Sequence, residues 1–407
     1  MMISRKYDFF IIILIASLSF GIIGQAYQVP RVLAVVFLPV LIASFKYARN
    51  YVKPYLLCFA AFCFFCLLSM AWTPDFDTGI KELVYYLVHF LLFLEVIVFS
   101  RLSKSPTYAV SMGWMVAVSM TLVVALWEIF TGHHLSMAVF KSEAIIKTGT
   151  EIVVRRNASV TFGNFNTYVT FLCFAFPFLL YRVSRIRGLK IRAAIPVIVV
   201  LLAAVCILFN ASRGGILTLV GMSGIYVIMN SSNKYTLPLT IVIVLAAGYI
   251  LYSNGNILDA INARSSEQGM FESNERIVIW IATMKAFVST YGLGVGIGGM
   301  QVAIAQFTTG VTITHNLFLE ILLQYGVIFF SVFLFFLVRL YKKTVKLNNV
   351  AIKTTLLMAL ITMPVYGIIN SGYLLSPGFY VLLSSLIVFA DDERTRFLRK
   401  AVRRLIQ

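Results

Sequence analysis

Apolar residues dominate this chain in long runs separated by short polar links. Twelve runs stand out, at about 8–24, 30–45, 55–72, 82–100, 107–130, 162–181, 193–210, 214–230, 236–252, 314–339, 352–370 and 374–390. A helix needs roughly 20 residues to cross the hydrocarbon core, and each run is long enough to cross or nearly cross. The run at 30–45 is short, which points to a tilted or partly re-entrant segment. The first run lacks a small-residue cleavage site and is followed by many others, so it reads as a span rather than a secretion signal. The pattern predicts an all-α, polytopic membrane protein with about 12 transmembrane helices, residues 1–407 forming a single integral membrane domain. No internal repeat, low-complexity tract or terminal soluble domain is visible.

Composition agrees with this reading. Hydrophobic residues make up 60% of the chain and charged residues 12%, against about 25% charged in soluble proteins. A soluble enzyme, a disordered chain and a disulfide scaffold are excluded. The net charge of +18, from 34 Lys+Arg against 16 Asp+Glu, raises nucleic acid or an anionic membrane as partners. The distribution of the charge decides between them. With Arg5 and Lys6 in the cytoplasm, the same side receives most of the basic residues, including Lys46, Arg49, Arg101, Arg182, Arg185, Lys342, Lys343 and the basic tail after Asp391. Basic and non-basic links alternate as the positive-inside rule requires, which puts both termini in the cytoplasm and demands an even number of spans. Nucleic acid is then unnecessary. Two long loops, about 131–161 and 253–313, fall on the extracytoplasmic side. The second carries an amphipathic stretch, Asn274–Ser289, expected as a helix on the membrane surface. All five cysteines lie in apolar runs. Cys63 and Cys66 are spaced CxxC but have no second pair and no nearby histidine, so packing thiols are favoured over a metal or redox site.

Five constellations could carry chemistry. Arg213, in Asn210-Ala211-Ser212-Arg213-Gly214-Gly215, opposes the charge trend of the outward links; its bland alternative is a snorkelling arginine beside a glycine turn. Arg276, in Asn274-Glu275-Arg276, stands where a helix start with Asn274 as cap is expected, an unfavourable place for a cation without an anion to bind. Gly292–Gly299 contains a GxGxxG-like spacing, but no strand precedes it, so a flexible turn is expected rather than a dinucleotide site. His315 begins the run at 314–339 on the same side as both arginines, with Asn316 beside it and Glu320 about a turn deeper, where a carboxylate needs a partner. Arg155 and Arg156, followed by Phe162-Gly163-Asn164-Phe165-Asn166, offer another anion contact and a tight turn. His89, His133 and His134 read as structural. Glu95 is a buried carboxylate without an assignable role.

Arginine is permanently charged and grips phosphate with a fork of donors. Histidine titrates near neutral pH and suits general-base work. There is no HExxH, no clustered Asp pair and no GxSxG, which argues against metal hydrolysis and serine hydrolysis. A lipid-linked phosphate or diphosphate in the outer leaflet is the natural substrate, with neither metal nor cofactor expected.

The ordered set SRGG at 212–215, NERIVIW at 274–280, GLGVGIGG at 292–299 and HNLFLEILLQYG at 315–326 resembles the bacterial O-antigen ligase and O-antigen polymerase superfamily. TFGNFN at 161–166 and Ser69–Trp72 look similar as well. Phe165 stands where that family usually has proline, and Ser289-Thr290 replace a proline often found before the glycine run. The resemblance implies a multi-span glycosyltransferase of the cytoplasmic (inner) membrane that takes a glycan from undecaprenyl diphosphate on the extracytoplasmic face. It implies His315 as general base with Arg213 and Arg276 as the other catalytic residues. Arg155, Arg156, Asn164, Asn316 and Glu320 are expected to contact substrate. The first expectation is a ligase delivering to lipid A–core by inverting displacement; a polymerase delivering to a second lipid-linked repeat unit is the alternative. A flippase or transporter of lipid-linked glycan would also suit twelve spans, but would more naturally carry repeats and mid-membrane charges.

Overall fold

The computed structural model describes residues 4–138, 145–148, 151–154, 157–186, 191–230, 269–309 and 312–406. The apolar runs within these residues are helical over most of their length, but the run at 8–24 ends in a 3-10 turn and that at 352–370 breaks after Tyr366; the run at 236–252 lies outside the described residues. The helices are α1 (Arg5–Ala16), α2 (Val29–Phe45), α3 (Arg49–Ser69), α4 (Phe76–Leu102), α5 (Pro106–Thr131), α6 (Phe165–Ser184), α7 (Ile191–Phe209) and α8 (Arg213–Met229), then α9 (Gly269–Ser289), α10 (Met300–Ala305), α11 (Leu317–Val345), α12 (Val350–Ile361), α13 (Met363–Tyr366) and α14 (Pro377–Ile406). Five of these, α3, α4, α5, α6 and α11, are long and apolar enough to cross a membrane, and α2, α8, α12 and most of α7 are shorter apolar helices. One departure from an all-helical chain is a two-stranded antiparallel hairpin, β1 (Ile145–Thr148) with β2 (Glu151–Val154).

Several helix starts follow from capping residues. Asp75, Asn164, Asn316 and Asn349 each accept a hydrogen bond from the backbone N–H of the first turn they precede, satisfying donors that the helix itself leaves open. α6 is almost wholly buried and forms the axis of the bundle, whereas α3 and α11 keep most of their surface outward. α1 lies in close contact with α5, because Gly113 of α5 leaves room for Ile15, the small-residue device that lets membrane helices approach.

The two ends of the bundle differ. At one end Ser4 N donates to Leu102 O at 3.0 Å, Arg101 covers the ring of Tyr51 at 4.1 Å, and Asp391 accepts from both Tyr51 and Lys343. Residues 4 and 391 therefore lie at the same end, among basic side chains. At the other end the links fold onto one another. Ile22 N donates to Thr161 O at 2.8 Å, Ala158 N to the Asn210 side chain at 2.7 Å, and Trp72 Nε1 to Gly294 O at 3.0 Å.

Candidate functional site

The site is built around a turn that joins α13 to α14. α12 ends at Ile361, α13 adds one more turn, and Gly367-Ile368-Ile369-Asn370 then leads away. Three segments remote in sequence reach this turn. Leu317 N, two residues after His315, donates to Gly367 O at 2.8 Å. Arg276 Nη1 donates to Ile368 O at 3.2 Å. Gly214, next to Arg213, faces Ile369 so closely that an added Cβ would lie 2.8 Å from its Cγ1. Arg213, Arg276 and His315 thus flank one four-residue turn.

Arg213 is the first residue of α8 and is exposed. Its two glycines do more than leave the guanidinium uncovered. Gly214 admits Ile369, and a Cβ on Gly215 would come within 2.5 Å of Val169 Cγ1 on α6. Upstream, the buried Asn210 side chain and the left-handed Ala211 (φ 44°) close the link between α7 and α8. Glu128 of α5 accepts from Ser159 N at 2.7 Å and Val160 N at 2.8 Å beneath this link.

Arg276 does not stand at a helix start. α9 begins at Gly269, so Asn274 is interior rather than a cap, and Arg276 projects from the body of the helix. One turn on, Trp280 Nε1 donates to Thr314 O at 2.9 Å. The same helix therefore holds both the Gly367–Asn370 turn and the residue before His315. Ile279, Ala282, Thr283 and Ala286 form its inward face, while Ile277, Ile281, Met284 and Val288 remain exposed, as an amphipathic helix lying at a membrane surface requires. His315 is half-buried, with a left-handed backbone (φ 45°). Such a conformation is uncommon outside glycine and concentrates at functional sites.

The glycine run is not flexible. Val295 N donates to Leu323 O at 2.8 Å, Gly296 N to Gln324 O at 3.1 Å, and Val327 N to Gly292 O at 2.9 Å. The run lies backbone to backbone against a break in α11, where Gly326 leaves helical geometry (φ 71°, ψ −178°). Gly292, Gly294, Gly296 and Gly298 all have positive φ. A Cβ on Gly294 would sit 2.5 Å from Gly326 N, so only glycine permits this contact. Ser69, Trp72 and Thr73 hydrogen-bond to the run from the end of α3. Glu82 of α4 accepts from Gly298 N at 3.1 Å, Gln324 Nε2 at 2.7 Å and Tyr86 OH at 3.0 Å. The segment is a brace held against α11 between Leu323 and Val327, within the helix that follows His315.

Other expected substrate contacts are occupied by the fold. Asn164 accepts from Asn166 N at 2.7 Å, and Asn316 from Phe318 N at 3.0 Å and Leu319 N at 3.3 Å. Glu320 is buried and accepts from the backbone N–H groups of Gly372, Tyr373 and Leu374 at 3.0, 3.4 and 3.5 Å. These backbone bonds give all three a scaffold role beside the substrate contacts expected of them. Arg155 and Arg156 lie outside the described residues. His89 is structural: its Nε2 accepts from Arg31 Nε at 3.0 Å.

The sequence reading missed the Gly367–Asn370 turn, because residues 352–370 read as one apolar run, and it missed Arg31. The Asn370-Ser371-Gly372 interruption was the available signal for the turn. Arg31 is buried over the Tyr85 ring, with further bonds to Ala26 O and Leu375 O. A lone basic residue near the start of an apolar run gave no hint of these partners. Among the described residues no cluster of three or more His, Cys, Asp or Glu is placed to hold a metal ion.

These apolar helices belong to a multi-pass membrane protein. Residues 197–334, which take in Arg213, Arg276 and His315, match the family model described as O-antigen ligase. The chain is 25% identical over 315 residues to the teichuronic acid biosynthesis protein TuaE of Bacillus subtilis (strain 168), an alignment covering 72% of this chain and 61% of the relative. The chain thus spans less than two thirds of that protein's length. Both findings are consistent with the resemblance to the O-antigen ligase and polymerase superfamily. The Gly367–Asn370 turn lies beyond the matched segment.

Proposed function

We propose that the protein transfers a glycan from undecaprenyl diphosphate to an acceptor hydroxyl at the outer face of the cytoplasmic membrane, without a metal. The convergence of the Arg213, Arg276 and His315 segments on one turn carries this reading. Two permanent cations beside a titratable imidazole suit a reaction in which a hydroxyl loses a proton and a diphosphate departs. In the proposed step His315 takes the proton of the acceptor hydroxyl. That oxygen forms a bond to the anomeric carbon while the bond from carbon to the diphosphate oxygen breaks. The configuration inverts, and Arg213 and Arg276 hold the charge that builds on the leaving diphosphate. The outward assignment is supported by the basic residues gathered at the opposite end of the bundle, under the positive-inside rule. Twelve spans complete the proposed scheme.

Ligation to lipid A–core and polymerisation onto a second lipid-linked repeat share this chemistry. The relative's name, a teichuronic acid biosynthesis protein, favours the polymerase. The test is transfer from an undecaprenyl-diphosphate glycan by purified protein, with each acceptor offered separately and EDTA present. Wild type is expected to be insensitive to EDTA, and Arg213→Ala, Arg276→Ala and His315→Ala to lose about a hundredfold or more in rate. Unimpaired transfer by the Arg276 and His315 variants would refute the reading.

A further inference from the structure

Beside the turn lies a cavity of about 270 Å³. Three pieces of chain enclose it: the link between α1 and α2, the first turns of α6, and the segment from Asn370 to Gly378. Gln28, Thr167, Asn370 and Ser371 supply polar groups, and Phe171 and Phe174 supply aromatic faces. Among the described residues no charged side chain lines it. The volume falls just under the range of ~300–1,000 Å³ usual for small-molecule sites, so it suits a sugar ring rather than a polyprenyl chain.

The walls are held firmly. Asn370 Nδ2 donates to Thr167 Oγ1 at 3.0 Å. Glu320 holds Gly372–Leu374, and the Arg31 guanidinium ties Ala26 on one wall to Leu375 on the other. Gln28 stands apart from this satisfied set. It occupies the cap position of α2 without a side-chain capping bond, and its Oε1 is shielded from solvent with no hydrogen-bond partner. A buried amide oxygen without a donor carries a cost that a ligand hydroxyl would remove.

The cavity is close to the proposed chemistry. Asn370 follows directly on Ile369, which packs on Gly214, and Val169 of the α6 wall packs on Gly215. We infer that this cavity is a saccharide subsite, in which uncharged hydroxyl and amide groups and aromatic rings hold one sugar of the transferring glycan or of its acceptor beside the Arg213 segment. Neutral hydrogen-bonding groups interleaved with aromatics match a polyol and, among the described residues, supply no cation to a phosphate. The inference rests on the glycan-transfer reading for its place in the reaction, but the cavity's ligand can be tested without it.

The full chain in nanodiscs is examined by saturation-transfer NMR with methyl glycosides of hexoses and N-acetylhexosamines. Contact is expected with wild type, with Ser371→Ala and with Arg213→Ala. It should be lost in Ser371→Trp, which fills the cavity, and weakened in Gln28→Leu, which is isosteric enough to fold if the tryptophan variant does not. In the transfer assay, Gln28→Leu and Ser371→Trp should raise a half-saturating concentration about tenfold with little change in kcat. A shift in the donor value assigns the subsite to the donor glycan, and a shift in the acceptor value assigns it to the acceptor. Absence of contact with wild type, or equal contact in wild type and Ser371→Trp, overturns the subsite. Contact without any transfer by wild type would refute the proposed function and leave the subsite standing.

Discussion

The packing of Gly214 on Ile369 makes a single methyl group a test of the whole site. In Gly214→Ala the new Cβ would lie 2.8 Å from Ile369 Cγ1, where ordinary contact begins at 3.4 Å, an overlap of 0.6 Å. Ile369 is 2% exposed and cannot swing clear, so the start of α8, and Arg213 with it, must move relative to the turn. Overpacking of this kind costs about 1–3 kcal/mol. Alanine returns up to about 1 kcal/mol in helix propensity, so the net loss of stability should lie between about 0 and 3 kcal/mol. Activity should not be spared, because a displacement near 1 Å costs on the order of a hundredfold in a positioned reaction. The expected loss of transfer is therefore about ten- to a hundredfold, with no charged or titratable group removed. Ile369→Ala in the same chain should restore much of the rate while lowering the melting temperature, since it opens the space at about 2–5 kcal/mol of lost packing. Rates of glycan transfer and detergent-phase melting, measured on both variants, give the answer. Wild-type turnover in Gly214→Ala, or no recovery in the double variant, would refute the convergence of Arg213 on this turn.

Three further outcomes follow from the geometry. Gly326→Ala should destabilise by more than the ~1–3 kcal/mol that a side chain costs in this positive-φ, extended-ψ backbone, because its Cβ would also sit 2.5 Å from Gly292 O; an unchanged melting temperature would contradict the brace. Glu320→Ala should cost about 1–3 kcal/mol by leaving buried backbone donors unsatisfied, and Glu320→Gln, which keeps one acceptor oxygen, should recover part of it; equal melting of all three proteins would rule out the scaffold role. At the start of α4, Thr78 donates to Asp75 through both N–H and hydroxyl and holds its carboxyl below the ordinary value. That cap contributes stability above the unfolded pKa and loses it as pH falls through the lower folded one. Asp75→Asn should flatten this component of acid melting, and an identical pH profile would show that the cap does not titrate as described.

Much of the architecture was legible because membrane helices announce themselves locally. Each apolar run must satisfy its own backbone within the segment, so length and composition make most of each described run helical, and five of the helices are long and apolar enough to cross a membrane. The identity of the candidate residues was also readable, since an arginine or histidine at the edge of such a run has few bland explanations. Their surroundings were not. Gly214 and Gly215 read as leaving a charge bare, yet they admit Ile369 and Val169 from distant helices. Gly292–Gly299 read as a flexible turn, because nothing in its own residues shows that α11 breaks at Gly326 to receive it. Glu320 read as a buried acid in want of a partner, and the partner proved to be three backbone N–H groups some fifty residues on.

From its residues alone this chain determined that it would lie in a membrane as helices, and which few cations and titratable groups would stand at their ends, because hydrophobic burial and backbone satisfaction are decided segment by segment. Only the tertiary structure decided that α8, α9 and α11 deliver Arg213, Arg276 and His315 to the turn at Gly367–Asn370. Contacts between backbones in close approach depend on which helix lies beside which, and no local pattern records that.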